Sequence, residues 1–455
     1  MNHIPDALSK IQDPRLWTRF ITHVFNSSET WASDMTFLNG NSETLITEAQ
    51  KHFSKFNDPG AEARFYNVAG FFYLDHNEDP AGAKNFFETA ISLSKSSSKS
   101  EECYALVQLS WIERGAANYP AALVYAHKAQ KLAKLSGNLL QEARALRVEA
   151  AFCYDLGFYK EGMRLCVEGR ELLQLCGLSG SVVDLRLLNT MGGIHFAKSE
   201  YAESRSINAN VIRDVDESQY DYALGLHEIT CIDILIDADD IEVQRNLDIS
   251  YVRFSTMGDT YMMKHSDVLR AELYLRQGKF LDAKALFQTC YDASWGKDGE
   301  IVDLCLDRLG DLACWGPNKT SWTSSWTIIF LAHALKQHKK LQIHQALRCL
   351  GDVFLDQDDL GTALSLFIVA LEGFEQMDVH RSKGDCMLRL GDISNRNGDF
   401  NKAAEFYRGA LPLFERSLQA KSVSQINARL AAIKQSTSEA YSAEQRAESG
   451  IERDM

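Results

Sequence analysis

Proline and glycine are scarce in this 455-residue chain, which has 7 prolines and 28 glycines. A β-sandwich or barrel needs a turn every ~8–12 residues, and such turns use both amino acids heavily. The scarcity therefore argues against an all-β fold. It favours long helices joined by connectors of a few residues.

Signals for export, membrane insertion and cysteine-based sites are also missing. The ten cysteines form no Cys-x-x-Cys pair and lie mostly in apolar helical patterns, as buried thiols do in a reducing compartment. The segment Met1–Trp17 has no apolar core of the secretory type, and the longest apolar run, Trp326–Leu335, is too short to span a bilayer. We therefore expect a soluble, cytoplasmic protein without disulfides.

Basic charge is too sparse for a nucleic-acid-binding protein. Lys and Arg number 48 against 62 Asp and Glu, which gives a net charge of −14. The basic patches are short, as at Lys336–Lys340, whereas a duplex binder needs a continuous basic face. We expect neither nucleic acid nor an anionic membrane as a partner.

No motif indicates a cofactor, a metal ion or catalysis. The phosphate-binding pattern Gly-x-x-x-x-Gly-Lys-Ser/Thr does not occur. The run His227–Cys231 begins like a zinc peptidase helix but lacks the second histidine one turn later. We predict no cofactor, no metal and no enzymatic activity. An enzyme with an unrecognised site stays an open alternative, because residues distant in sequence can meet in a fold.

An internal repeat of about 40 residues dominates the second half of the chain. The segments Leu350–Phe354 and Leu390–Ile393 begin 40 residues apart, and Leu309–Leu312 begins 41 residues before the first. The glycine of each later copy is followed at fixed offsets by a small, an aromatic and a small residue. These are Ala363, Phe367 and Ala370 after Gly351, and Ala403, Tyr407 and Ala410 after Gly391.

This pattern resembles the tetratricopeptide repeat (TPR), in which small residues let two antiparallel helices pack closely. The resemblance implies an all-α fold, a right-handed TPR-like α-solenoid with repeats of ~40 instead of the common ~34 residues. Two copies are degenerate, one near Ile241 and one at 315–340. The predicted parts are a helical cap at 1–60, nine helix pairs at 61–418, a capping helix at 419–433 and a polar, disordered tail at 434–455.

In TPR proteins the residue after the glycine position points into the concave groove. The first repeats place aromatic or small residues there, and the later ones place acids. The candidates are Phe72 and Trp111, then Asp233, Glu272, Asp311, Asp352 and Asp392, with Asp307 and Asp385 at neighbouring groove positions. Two interpretations stay open. The acids are ordinary solvated residues, or they form a groove for a peptide of basic character.

Two further features leave alternatives. Co-chaperones with this repeat clamp a peptide carboxylate with a lysine and an asparagine, a pair that no repeat carries here, so Hsp70 and Hsp90 tails are disfavoured as partners. The tryptophans Trp315, Trp322 and Trp326 of the degenerate repeat either fill core or anchor a partner.

The function that these features favour is a non-catalytic scaffold that binds a protein or peptide in its concave groove. The segments Leu366–Phe374, Met377–Ser382 and Pro412–Ser417 also resemble the C-terminal TPR arrays of fungal NACHT or STAND signalling NTPases. That resemblance implies a ligand-sensing module, either free-standing or part of a larger NTPase. The NTPase domain itself is not in this sequence.

Overall fold

The computed structural model of the chain describes residues 10–26, 36–55, 57–75, 79–217, 219–236, 238–315 and 323–451. Within these ranges the regular secondary structure is entirely α-helical. The prediction of an all-α, TPR-like α-solenoid is confirmed, because the helices follow one another as antiparallel pairs with short connectors.

Among the described residues, two helices precede the pairs and one follows them. They are α1 (Pro14–Asn26), α2 (Thr36–Phe53) and α21 (Ala420–Ile451). The first helix of each pair is α3 (Pro59–Asp75), α5 (Lys99–Gly115), α7 (Leu139–Asp155), α9 (Val182–Ala197), α11 (Tyr220–Leu235), α13 (Thr260–Arg276), α15 (Gly299–Trp315), α17 (Lys340–Asp356) and α19 (His380–Arg396). The second helix is α4 (Pro80–Ser94), α6 (Tyr119–Ser136), α8 (Tyr159–Leu175), α10 (Tyr201–Asp214), α12 (Asp240–Met257), α14 (Phe280–Ser294), α16 (Thr323–Lys336), α18 (Leu360–Met377) and α20 (Phe400–Arg416).

The turn between α19 and α20 shows how the sequence sets a helix pair. Gly398 adopts a φ of 79°, which only glycine takes without strain, and this ends the first helix. Asp399 then caps the second helix, since its Oδ1 accepts a hydrogen bond from the backbone N of Lys402 at 3.0 Å. The same cap occurs at α18, where Asp359 accepts from the backbone N of Thr362 at 3.1 Å.

The repeated glycine and aromatic residue meet inside the last two helix pairs. A Cβ on Gly351 would lie 2.8 Å from the ring of Phe367, and one on Gly391 would overlap the ring of Tyr407. Both rings are buried. The glycine is therefore a packing requirement, because the ring of the second helix lies directly on the backbone of the first.

The helices form two compact units. The first contains the described residues as far as Cys153, together with Lys160–Thr190 and Val252–Thr260. The second contains Tyr154–Tyr159, Met191–Tyr251 and the described residues from Tyr261 onward. Each unit has hydrophobic cores of its own.

Two sequence expectations need correction. The tail at 434–455 was expected to be disordered, but α21 continues as a helix to Ile451, and residues 452–455 lie outside the described part. Phe72 was expected on an open aromatic surface. It is instead fully buried, with its ring 5.3 Å from that of Phe25, because α1 covers the start of the helix pairs.

The degenerate repeats fit the pair architecture. The side chains of Trp315 and Trp322 lie outside the described part of the chain. Trp326 stands edge-on to Tyr291 at 5.4 Å and joins the core around Phe330 as a partly buried residue. Ile241, the weak anchor, is 79% exposed.

One described helix is long and apolar enough to cross a membrane by length and composition. It is α18, with a mean hydropathy of 1.2. Its Ala363, Phe367, Ala370 and Phe374 are buried against neighbouring helices.

Candidate functional site

The acids predicted to line the groove of the second unit are paired with arginines from the following repeat. Each arginine reaches back 36 or 37 residues to the acid of the preceding first helix. The pairs are Arg308 with Glu272, Arg348 Nη2 with Asp311 Oδ1 at 3.4 Å, Arg389 Nε with Asp352 Oδ1 at 2.8 Å, and Arg429 Nε with Asp392 Oδ1 at 2.8 Å.

The same arginines also bond to acids one turn along their own helices. Arg308 Nη1 lies 3.2 Å from Asp311, and Arg348 Nη1 lies 2.9 Å from Asp352. We call this alternating row the charge ladder. It consists of Glu272, Arg308, Asp311, Arg348, Asp352, Arg389, Asp392 and Arg429, on five helices from α13 to α21.

The ladder is only partly accessible to solvent. Asp352 is completely buried, and Asp311 keeps 27% of its side chain exposed. Burial opposes the ionisation of Asp311, but Arg348 and Arg308 outweigh it and hold its pKa below the ordinary value. The charge of Asp311 is therefore compensated inside the chain, whereas at Asp352 burial outweighs Arg389 and Arg348 and raises the pKa.

The remaining predicted acids have arginine neighbours as well. Asp233 is buried and accepts a hydrogen bond from Arg205 Nε at 2.8 Å. Asp307 lies 3.4 Å from Arg308 Nη1. Asp385 lies on α19 between two arginines that are one turn away on either side. A basic peptide would have to displace these arginines before it could bind the acids. The structure therefore gives no support to the prediction of a basic partner at these residues.

Arginines on the first helices of the first unit lie over aromatic rings. Arg147 on α7 stacks over the ring of Trp111 on α5, with its guanidinium carbon 4.7 Å from the ring centre. Arg114 lies over the same ring at 5.3 Å, and Arg144 lies over Tyr104 at 5.3 Å. Within the part of the chain that the structure describes, no carboxylate forms an ion pair with Arg144 or Arg147.

The arginines of this surface repel one another. Burial, together with the like charges of Arg186, Arg144 and Arg114, lowers the pKa of Arg147 to about 9. Arg186 belongs to α9, the next first helix. We call the surface the arginine face and define it by three pairs spaced three residues apart, namely Trp111 and Arg114, Arg144 and Arg147, and Arg186 and Asn189.

Two polar groups of the arginine face are buried without a hydrogen-bond partner. One is the indole Nε1 of Trp111. The other is the side-chain amide of Asn189, in which both the nitrogen and the oxygen are unsatisfied. Buried polar groups in folded proteins are nearly always paired, so these three atoms mark a place where a ligand can bond.

Sequence reasoning found Trp111 but missed the rest of this face. It followed only the position after the glycine, which is Ala151 in α7 and Gly193 in α9. The arginines and Asn189 lie one or two turns earlier on the same helices. Reading the column two turns earlier, which holds Arg144 and Arg186 in consecutive repeats, together with Arg147 one turn after Arg144, would have revealed the basic surface.

In the part of the chain that the structure describes, two groups of acidic, histidine and cysteine side chains are close enough to hold a metal ion. They are Glu200 with Asp378 and His380, and Asp307 with Asp311 and Cys349. Basic side chains already occupy both groups. Lys198 and Arg416 bond to Glu200, and Arg348 bonds to Asp311. The donor atoms of these groups thus serve internal ion pairs.

The histidine of the incomplete zinc motif is part of the core. His227 is fully buried, and its Nε2 lies 2.9 Å from His265 Nδ1. Burial, with the neighbouring His265, lowers the pKa of His227 well below its ordinary value. His227 is therefore a neutral imidazole that packs against His265 in the core.

Solved structures give a distant likeness. A Rap protein complexed with competence and sporulation factor has a TM-score of 0.44 and 11% identity, over 89% of this chain and 97% of its own. The apo form of the quorum sensor NprR from B. thuringiensis has a TM-score of 0.43 and 11% identity, over 86% and 99%. Yeast Tom70 has a TM-score of 0.38 and 12% identity, over 95% and 91%.

No protein-family model and no curated protein matches the sequence. Structural likeness at 11–12% identity concerns the helical fold alone. What those proteins bind therefore says nothing about this chain.

Proposed function

We propose that this protein is a non-catalytic scaffold that binds a peptide segment of a partner protein on the arginine face. The observation that carries the proposal is the amide of Asn189, whose nitrogen and oxygen are both buried and unpaired. A side-chain amide offers two N–H donors and a carbonyl acceptor. It can therefore bond to the C=O and the N–H of a peptide main chain at the same time.

Trp111 supports the same ligand. Its half-buried ring lies beside Arg147 and presents an indole N–H that has no acceptor in the fold. Tryptophan and arginine are the residues that most often dominate the energy of protein interfaces. A peptide carbonyl would satisfy the indole, and its side chain would cover the ring.

Peptide selection tests this function. Peptides are selected from a random nonapeptide display library on the wild-type protein, and their affinities are measured by fluorescence anisotropy. Asn189→Ala is expected to weaken binding about tenfold, the cost of one lost hydrogen-bonded contact of ~1.4 kcal/mol. Asn85→Ala, an exposed amide on α4, is the control and should leave binding unchanged. Equal affinity for wild type and Asn189→Ala would refute the assignment.

The sensor role and the cytoplasmic location belong to the same proposal. The resemblance to signalling NTPase arrays supports a role in which peptide binding is the input signal. Nine cysteines of the described residues are free thiols, which agrees with a reducing compartment. Microscopy of a fluorescently tagged chain tests the cytoplasmic location, and export of the chain from the cell would contradict it.

A further inference from the structure

Arg144 and Arg147 differ from the arginines of the charge ladder in what surrounds them. Each ladder arginine bonds to a carboxylate of the preceding first helix, and Arg308, Arg348 and Arg389 also pair with an acid of their own helix. Arg144 and Arg147 have aromatic rings as their partners within the described residues, and Arg147 is close to three further guanidiniums. The same repeat architecture thus neutralises its arginines in the second unit and leaves these two without an acid in the first.

We propose that the arginine face selects a peptide with an acidic side chain, whose carboxylate binds between Arg144 and Arg147 beside Trp111. This inference rests on the proposed function and specifies its ligand. A guanidinium bonds a carboxylate through two parallel N–H groups, so the two arginines can hold both oxygens.

The electrostatics favour an anion at this place. The pKa of Arg147 is lowered by burial and by its positive neighbours, so a bound carboxylate would remove an existing repulsion and add attraction. The site lies in a region of low solvent exposure, where charge pairs interact more strongly than at an open surface. A ligand carboxylate would supply the negative charge that pairs with Arg144 and Arg147.

A peptide is a better occupant than a nucleic acid. The chain has a net charge of −14, which repels a long polyanion, whereas a short peptide needs only one or two acids at the arginines. The Asn189 amide adds main-chain recognition beside the charges. Both contacts describe one ligand, a peptide whose main chain bonds to Asn189 and whose acidic side chain bonds to the arginines.

Three fluorescein-labelled nonapeptide pools test the proposal. They carry Glu-Glu, Gln-Gln or Lys-Lys at the two central positions and a random mixture elsewhere, and binding to the full chain is measured by anisotropy. The Glu pool should bind about tenfold more tightly than the Gln pool, and the Lys pool more weakly than both. The Glu preference should shrink as salt is raised from 50 to 500 mM.

Variants test whether the preference for the Glu pool depends on the arginine face. Arg147→Gln should bring the ratio of Glu-pool to Gln-pool affinity close to one, and Arg144→Gln should do the same if Arg147→Gln does not fold. Arg164→Gln is the control, since this exposed arginine on α8 pairs with Glu161 and Glu168, and the ratio should persist. Circular dichroism melting confirms that each variant is folded.

The outcomes separate the two claims. Equal, measurable affinity for the Glu and Gln pools would overturn the acidic specificity and leave peptide binding intact. A ratio unchanged in both arginine variants would overturn the location. Failure of every pool to bind the folded wild type would overturn peptide binding itself.

Discussion

Arg389 Nε donates a hydrogen bond to Asp352 Oδ1 at 2.8 Å and so ties α19 to α17 across one full repeat. The contact recurs with Arg429 and Asp392, also at 2.8 Å. In a solenoid, stability depends on the interface between each repeat and the next. The acids are thus part of the inter-repeat interface of the second unit.

The first prediction concerns the buried centre of this ladder. Asp352→Asn should lower the free energy of unfolding by about 3 to 5 kcal/mol, because two guanidiniums lose their shared carboxylate in a buried site. Urea denaturation measures the change. Asp282→Asn, an exposed acid on α14, is the matched control and should change stability by less than ~0.5 kcal/mol. Equal stability of the two variants would show that Asp352 is not an interior ion pair.

The second prediction concerns close packing in the repeat. Gly351→Ala should destabilise the protein by about 1 to 3 kcal/mol, because the new methyl group would lie 2.8 Å from the ring of Phe367. Gly115→Ala is the control, since a Cβ at that position meets nothing within 4 Å. Thermal melting should show a lower midpoint for the first variant only, and a drop in both would point to a general effect of losing glycine.

The third prediction concerns pH and Glu200. Burial alone would raise the pKa of Glu200, but Lys198 and His195 outweigh it and lower the pKa to about 2, compared with 4.5 as its ordinary value. His380 and Arg416 also face this carboxylate. The unfolded chain binds the proton more readily, so the ionised group stabilises the fold above about pH 4.5. That contribution is lost as the pH falls toward 2.

Denaturation at pH 7, 5 and 3 tests this. Stability of the wild type should fall more steeply between pH 5 and 3 than that of Glu200→Gln, which has no proton to gain at this position. Parallel curves for the two proteins would contradict the assigned pKa.

The fourth prediction concerns a contact between distant repeats of the second unit. Arg416 Nη2 lies 2.5 Å from Glu200 Oε1, and the backbone N of His380 donates to the carbonyl of Lys198 at 3.0 Å. Arg416→Gln should therefore accelerate amide exchange at His380, because both contacts hold the same turn. Exchange measured by mass spectrometry should stay unchanged in Arg213→Gln, whose exposed side chain pairs with its neighbour Asp214.

Local pattern was enough to predict the fold, but not the site. Gly351 and Phe367 lie 16 residues apart in one helix pair, so their packing shows in the sequence as a fixed offset. The partner of Asp352 is an arginine 37 residues later in a different position of the repeat, which a search of single positions does not reveal. Phe72 looked exposed because its cover, Phe25, comes from a helix outside the repeats.

The most direct test of the proposed function is hydrogen–deuterium exchange with a display-selected peptide bound to the full chain. Peptide binding on the arginine face predicts slower exchange in α5, α7 and the start of α9, around Trp111, Arg147 and Asn189. At a peptide concentration near the wild-type dissociation constant, the footprint should be much weaker in Asn189→Ala. Slower exchange confined to α15, α17 and α19, along the charge ladder, would contradict the account and restore the acidic residues as the binding surface.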